Sequence, residues 1–290
     1  MIRLHYSVEL NYQVQGPGAD FIFIIQAAHT RHQHVVNEQL GIGQTLMPQA
    51  FTDPVTKTRY LRLQAPAGPL RVSYVATVDL AHHLMPSQAV GEVSVVQLPG
   101  NVLPYLYPSR YCESDRLLGF ATQKFGHLLQ GHDRVRAIRD WVQQHVTFKS
   151  NTSNSSTSAC DTLASGQGVC RDFAHLMIAL CRAINIPARF ATALDYGADP
   201  ALGPPDFHAY VEVFLGQRWY LFDPSGTAIP LGLVRIATSR DAADAAFATI
   251  FGTVWSEPPR VHIEAVENAQ GERVLPRHTM DAISTDADGA

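Results

Sequence analysis

The sequence predicts an α+β protein, a β-sandwich-like amino-terminal domain over residues 1–108 followed by a segment of helices and a β-hairpin over 109–267. Three observations carry this. Apolar and polar residues alternate with strand period through the first hundred residues, the period turns helical beyond residue 108, and an apolar helix-length segment at 170–184 precedes two strand-length runs around one tight turn.

In order along the chain, alternation at Leu4, Tyr6, Val8 and Leu10 reads as a first strand, and Phe21 to Ile25, Arg59 to Leu63 and Leu70 to Val78 read as further ones. Gly16-Pro17-Gly18 and Pro66-Ala67-Gly68 separate them as turns. Several short strands with Gly/Pro turns are the pattern of a sandwich. Ser114 or Asp115 then caps a helix carrying Leu117, Leu118, Ala121 and Phe125, and Asp133 caps another carrying Val135, Ile138, Trp141 and Val142. Ser150 to Ser158 is a polar low-complexity loop, read as a flexible approach to the segment beyond it. Two Asn-x-Ser/Thr matches inside it are accidents of composition.

Gly166-Gln167-Gly168 leads into a helix beginning near Cys170, on which Phe173, Leu176, Met177, Leu180, Cys181 and Ile184 recur at helical spacing. Pro187 ends it, because the residue before proline avoids the α region. His208 to Leu215 and Arg218 to Asp223 then form a hairpin around Gly216-Gln217, with Trp219 and Tyr220 on alternate faces. Val261 to Val266 is a final strand, and residues 268–290 are read as a mobile, polar tail.

Composition excludes several classes of function. Among 290 residues, 22 Lys+Arg stand against 26 Asp+Glu, a net charge of −4, so the chain lacks the clustered positive charge of a nucleic-acid binder. Apolar residues at 46% and charged residues at only 17% rule out general disorder. No stretch approaches the ~20 apolar residues of a membrane-spanning helix. The opening MIRLHYSVEL lacks a long apolar secretory run, and a cytoplasmic setting is the expectation. Cys112, Cys160, Cys170 and Cys181 form no C-x-x-C pair, which leaves them as free thiols without a zinc-knuckle pattern.

Other side chains invite readings that their context does not support. His29, His32 and His34 have no carboxylate or cysteine partner nearby and read as solvated loop, as do His82 and His83, so no metal is expected. Gly41-Ile42-Gly43 lacks the third glycine of a nucleotide loop. Cys181 is core, about 16 Å along the helix from Cys170 and unable to bond to it. His175 points away from Cys170 and reads as packing, while Asp241 and Asp244 read as caps, solvated groups or cleft lining.

The chemistry converges on Cys170. A cysteine at a helix amino terminus meets free N–H groups and the positive end of the macrodipole, which lowers its pKa to about 3.5–7.5, the more so beside an imidazolium. The hairpin supplies the imidazole. With the turn centred on Gly216-Gln217, Asp223 faces Tyr210 and lies one diagonal from His208; with the centre one residue earlier, His208 faces Asp223 directly. Either register leaves roughly 5–8 Å between their Cβ atoms. A carboxylate on one ring nitrogen fixes the tautomer and frees the other nitrogen to take a thiol proton.

The blocks around these residues are specific: Gly168-Val169-Cys170-Arg171-Asp172-Phe173-Ala174-His175, Ile186-Pro187-Ala188-Arg189, His208-Ala209-Tyr210-Val211-Glu212-Val213 and Trp219-Tyr220-Leu221-Phe222-Asp223-Pro224. Together they resemble the core of the bacterial transglutaminase-like superfamily, whose members are often described as cysteine proteases. Arg240-Asp241-Ala242-Ala243-Asp244 resembles a further block downstream, and the β-rich first hundred residues resemble the family's amino-terminal region more weakly. The resemblance implies a papain-like core, a nucleophile helix packed on an antiparallel sheet. It also implies a triad of Cys170 as nucleophile, His208 as base and acid, and Asp223 as orienter.

No acidic loop with calcium-ligand spacing is present in the sequence, so the calcium dependence of animal transglutaminases is not transferred. The expectation is a cofactor-free thiol enzyme acting on a peptide or protein amide through a thioester, most simply a peptidase or amidase. The alternatives are a true protein-glutamine transglutaminase and a non-catalytic binding or scaffold module. The backbone N–H of Cys170 is one oxyanion donor, and the sequence assigns no second.

Overall fold

The computed structural model describes residues 1–197, 201 and 206–284. Strand β1 (Ile2–Val14) shows why alternation matters: Leu4, Tyr6, Val8, Leu10, Tyr12 and Val14 are buried, and every residue between them is partly or fully exposed. Next come β2 (Ala19–Phe23), β3 (Gln33–Ile42), β4 (Gln49–Thr52), β5 (Arg59–Ala65), β6 (Gly68–Leu80) and β7 (His83–Met85). The core opens with α1 (Leu118–Phe125), α2 (His132–His145), β8 (Thr147–Phe148), α3 (Ala159–Ser165), β9 (Gln167–Gly168) and α4 (Cys170–Ala183). It continues through β10 (Ala188–Asp195), β11 (Phe207–Leu215), β12 (Arg218–Phe222) and β13 (Leu233–Ser239). The described chain closes with β14 (Ala248–Phe251), β15 (Val254–Ser256), β16 (Arg260–Ala265) and β17 (Ala282–Ser284).

The protein is α+β, as expected. Its amino-terminal part is all-β and antiparallel, one sheet running β3-β6-β1 with β15 and β16 on the far side of β1, the other running β14-β2-β5-β4. Tyr12 from the first sheet meets Phe21 and Phe23 of the second, at ring-centroid distances of 5.3 and 5.9 Å. Strand β3, absent from the sequence reading, begins inside the histidine-rich segment, so that His34 lies on a strand and not in a loop; its side chains hardly alternate in burial because it lies at a sheet edge.

Two expectations change at the carboxy-terminal end. The sequence reading runs the core through residue 267, but β14 pairs with β2 and both β15 and β16 pair with β1, so residues 248–265 complete the two amino-terminal sheets. The reason is the length of β1: at 13 residues it offers two full edges, β6 fills one, and β15 and β16 together fill the other. The tail expected to be mobile is packed as far as residue 284. Strand β17 pairs with β7, Ala282 and Ile283 are buried, and the Asn268 side-chain amide donates to the carbonyl of Met1. Residues 285–290 lie outside the described chain.

In the core, every side chain of α4 from Asp172 to Ala183 is buried, the mark of a helix wrapped on all sides. Helices α1, α2 and α3 and strands β10 and β11 surround it. The sheet runs β12-β11-β10-β13 and is buried on both faces. The amino-terminal domain covers the outer edge of β13. Ala28 N–H donates to the Arg235 carbonyl at 3.0 Å, and the buried Gln33 amide donates to the same carbonyl (2.8 Å) while accepting from Arg235 N–H (2.8 Å). One side chain thereby does what a neighbouring strand would do for an otherwise open edge.

Candidate active site

Cys170 is the first residue of α4 and is partly buried. Val169 precedes it in extended conformation, and the Asp172 carboxylate closes the helix start by accepting from Val169 N–H at 2.9 Å. Gly168 is needed for close approach: a Cβ there would stand 2.7 Å from the Cβ of Asp172. The 150–158 loop, expected to be flexible, is instead tied to this helix end. Ser153 donates to Asp172 at 2.9 Å, Arg171 donates to the Asn154 carbonyl at 2.7 Å, and the Tyr111 hydroxyl donates to the Ser155 carbonyl at 2.8 Å.

The hairpin turn places Gly216 and Gln217 at φ of 49° and 68°, the two left-handed positions of a two-residue turn. Leu215 therefore pairs with Arg218 and Val211 with Phe222, the first of the two registers weighed from sequence. Asp223, just past β12, lies one diagonal from His208, and the ring Nε2 meets its Oδ1 at 3.2 Å. An ionised carboxylate only accepts, so Nε2 carries the hydrogen and Nδ1 is left for a second partner. Three further donors hold Asp223: Ser225 N–H (3.0 Å), the Ser225 hydroxyl (2.7 Å) and Ala228 N–H (3.0 Å).

The electrostatics reflect this arrangement. Burial pushes Asp223 up, but His208 and the surrounding donors outweigh it and hold the carboxyl below its usual range. Burial pushes His208 down, and the Asp223 charge and hydrogen bond, with the charge of Asp195 added, outweigh that and raise it. The thiol departs from expectation. Burial pushes Cys170 up to about 11, against the backbone N–H groups of Ala209 and Arg171, while Asp223 and Asp206 add to the rise. The helix terminus alone does not ionise this sulfur; the thiol keeps its proton until a base takes it.

Helix α4 and strand β11 thus bring the sulfur to the strand that carries His208, with Ala209 N–H addressing it. Sequence reasoning missed Asp195 and Asp206, the carboxylates that ring the same two groups. Asp206, two residues before His208, was open to notice; Asp195 was not, because its closeness depends on the pairing of β10 with β11. Between β10 and β11, residues 198–200 and 202–205 lie outside the described chain. His175 is packing: it is fully buried, stacked on Tyr111 at 5.0 Å and accepting from Ala242 N–H at 3.1 Å. Asp241 caps the turn after β13 by accepting from Ala243 N–H at 2.9 Å. Among the described residues no group of His, Cys, Asp and Glu could hold a metal, and no helix is long and apolar enough to cross a membrane.

A cysteine heading a buried helix, set against a sheet whose strands carry a His–Asp pair, defines a transglutaminase-like core. Residues 120–224 match the transglutaminase-like superfamily and residues 2–101 match the bacterial transglutaminase N-terminal domain. A solved structure from Cytophaga hutchinsonii, described as a "putative cysteine protease", is 37% identical, with 98% of this chain and 97% of that one covered at a TM-score of 0.89. The chain belongs to the bacterial transglutaminase-like superfamily. Among curated relatives, an uncharacterized protein of Mycobacterium leprae is 25% identical over 146 residues, 49% of this chain and 52% of that protein. An uncharacterized protein of Mycobacterium tuberculosis is 28% identical over 121 residues, 38% of each chain. The chain thus spans about half or less of the curated relatives it matches.

Proposed function

We propose that the protein is a cysteine-dependent amide hydrolase or acyl transferase, most simply a peptidase or amidase, with Cys170 as nucleophile, His208 as base and acid, and Asp223 as orienter. The observation that carries this is the His208–Asp223 pair at 3.2 Å, buried on the strand whose Ala209 N–H addresses the Cys170 sulfur. The similar structure described as a "putative cysteine protease" supports the choice of hydrolysis.

Nδ1 of His208 takes the thiol proton as the sulfur attacks the amide carbon, and the carbonyl oxygen gains the negative charge. The Cys170 backbone N–H, in the first turn of α4, faces that oxygen. The C–N bond then breaks, the amine leaves with the proton from His208, and a thioester remains. Water attacks the thioester, gives a proton to His208, and the carboxylic acid departs as the sulfur recovers its proton. A primary amine in place of water gives transamidation. His208 acts as base towards Cys170, whose ionisation burial opposes. A cytoplasmic setting, in keeping with four free cysteines, belongs to the same proposal.

The test is Cys170→Ala, assayed by mass spectrometry on a glutamine peptide and a peptide library, with and without a primary amine. Loss of all conversion in the variant is expected, with hydrolysis above transamidation in the wild type. Full conversion by Cys170→Ala would overturn the proposal. An inert wild type whose thiol labels with iodoacetamide no faster than an ordinary cysteine would favour the scaffold reading instead.

A further inference from the structure

Asp195 is a buried carboxylate that the steps above leave unused. It ends β10, and the β10–β11 register pairs Ala193 with His208, so Asp195 shares the face of His208 one diagonal away. Asp223 holds the opposite diagonal, from β12. The imidazole is therefore flanked on both neighbouring strands by carboxylates that are each 3% exposed. Backbone N–H groups of Gly197 (2.7 Å) and Ile229 address Asp195, and its charge and that of His208 act on each other.

The remaining charged groups around His208 do not duplicate this role. Asp206, just before β11, acts on Cys170, which faces the site from α4. Arg235 lies across Ala193 on β13, and its guanidinium turns to Glu212 at 3.5 Å. Burial raises Asp195 itself, opposed by His208 and the Gly197 N–H.

Resting on the triad reading above, we propose that Asp195 is a positioning residue that acts through His208, favouring the imidazolium and so enlarging the fraction of Cys170 present as thiolate. The proton moves from Sγ to Nδ1: an S–H bond breaks, an N–H bond forms, and the imidazolium created lies between Asp195 and Asp223. Asp223 orients the ring by a direct hydrogen bond. Asp195 contributes charge from the other strand, and an opposite charge at this range moves a pKa by about one unit.

The experiment is the pH profile, from about pH 5 to 10, of iodoacetamide alkylation at Cys170, resolved from the other cysteines by peptide mass spectrometry. Wild type, His208→Ala, Asp195→Asn and Asp195→Glu are compared. In Asp195→Asn the acid limb is expected to move down by about one pH unit, and the plateau rate to fall about tenfold, because a weaker base both sheds its proton earlier and takes less from the thiol. Asp195→Glu restores both. A lower rate with the limb unmoved would mean that Asp195 only supports the fold, and would overturn the proposal. If Asp195→Asn does not fold, Asp195→Glu decides: a limb at the wild-type pH is expected, and one displaced downward overturns it. A wild-type profile unchanged by His208→Ala would overturn the triad reading itself, and is distinguishable because it precedes any Asp195 variant.

Discussion

The two sheet systems treat polar side chains in opposite ways. In the amino-terminal sandwich a charged cluster stands on a wet face: Glu9 reaches Arg71 and Arg260, side chains that are 62% and 70% exposed. In the core both faces of the sheet are dry, and Glu212 is buried among partners. Glu212 takes Arg189 at 2.6 Å, Arg235 at 3.5 Å and the Tyr210 hydroxyl at 3.0 Å, all within the interior. Surface ion pairs contribute about 0–1 kcal/mol, whereas breaking a buried one costs roughly 3–5 kcal/mol. The same residue types therefore decorate one half of the molecule and specify the other.

Substitutions can break or sharpen that contrast. The largest effect is expected from Asp223→Ala, which removes the acceptor that fixes the His208 tautomer; kcat should fall by roughly a thousandfold or more, read by peptide turnover. Retention of a tenth of the activity would show that the ring is oriented by something else. Next, Glu212→Ala removes the carboxylate that Arg189 and Arg235 share and should cost roughly 3–5 kcal/mol in denaturant unfolding. A cost under about 1 kcal/mol would place this cluster with the surface pairs.

Acid should then weaken the fold. Burial pushes His175 down to about 3, so its contribution is complete above the unfolded imidazole value of 6.5 and is lost as pH falls from there towards about 3. Asp223, also depressed, adds a loss below 3.8. His208, being raised, works in the other direction: its contribution is complete below 6.5 and is lost as pH rises through its folded value. Unfolding followed from pH 7 to pH 4 should therefore show falling stability, and a flat profile would contradict the buried neutral His175. The smallest effect is expected for Glu9→Ala on the wet face, under about 1 kcal/mol in the same unfolding assay.

How much of this was legible depended on whether the signal was local. The α4 helix, its start at Cys170 and the hairpin were readable, with its register narrowed to two, because each is set by residues within a turn or two of one another. The alternation of β1 from Leu4 to Leu10 could be read but its full length and its second partner could not, since Glu9 pairs with Arg260 across the whole core. The serine-rich loop reads as slack in composition, yet Arg171, Asp172 and Tyr111 anchor it from elements on either side. The thiol was misjudged for the same reason. The helix terminus is visible in sequence, while the burial and the carboxylates that oppose it come from strands that sequence does not align.

The pairing of β1 with β15 and β16 also sets an order of events on the ribosome. Glu9 is made about 250 residues before the Arg260 it faces, which at roughly 5–20 residues per second is a wait of roughly 10–50 s. Through that interval the nascent amino-terminal sheet carries an unfilled edge, while the core between the two partners has already been made and can fold. Closing the sandwich thus waits for β15 and β16, and it is these later-made strands that lock the first-made one in place.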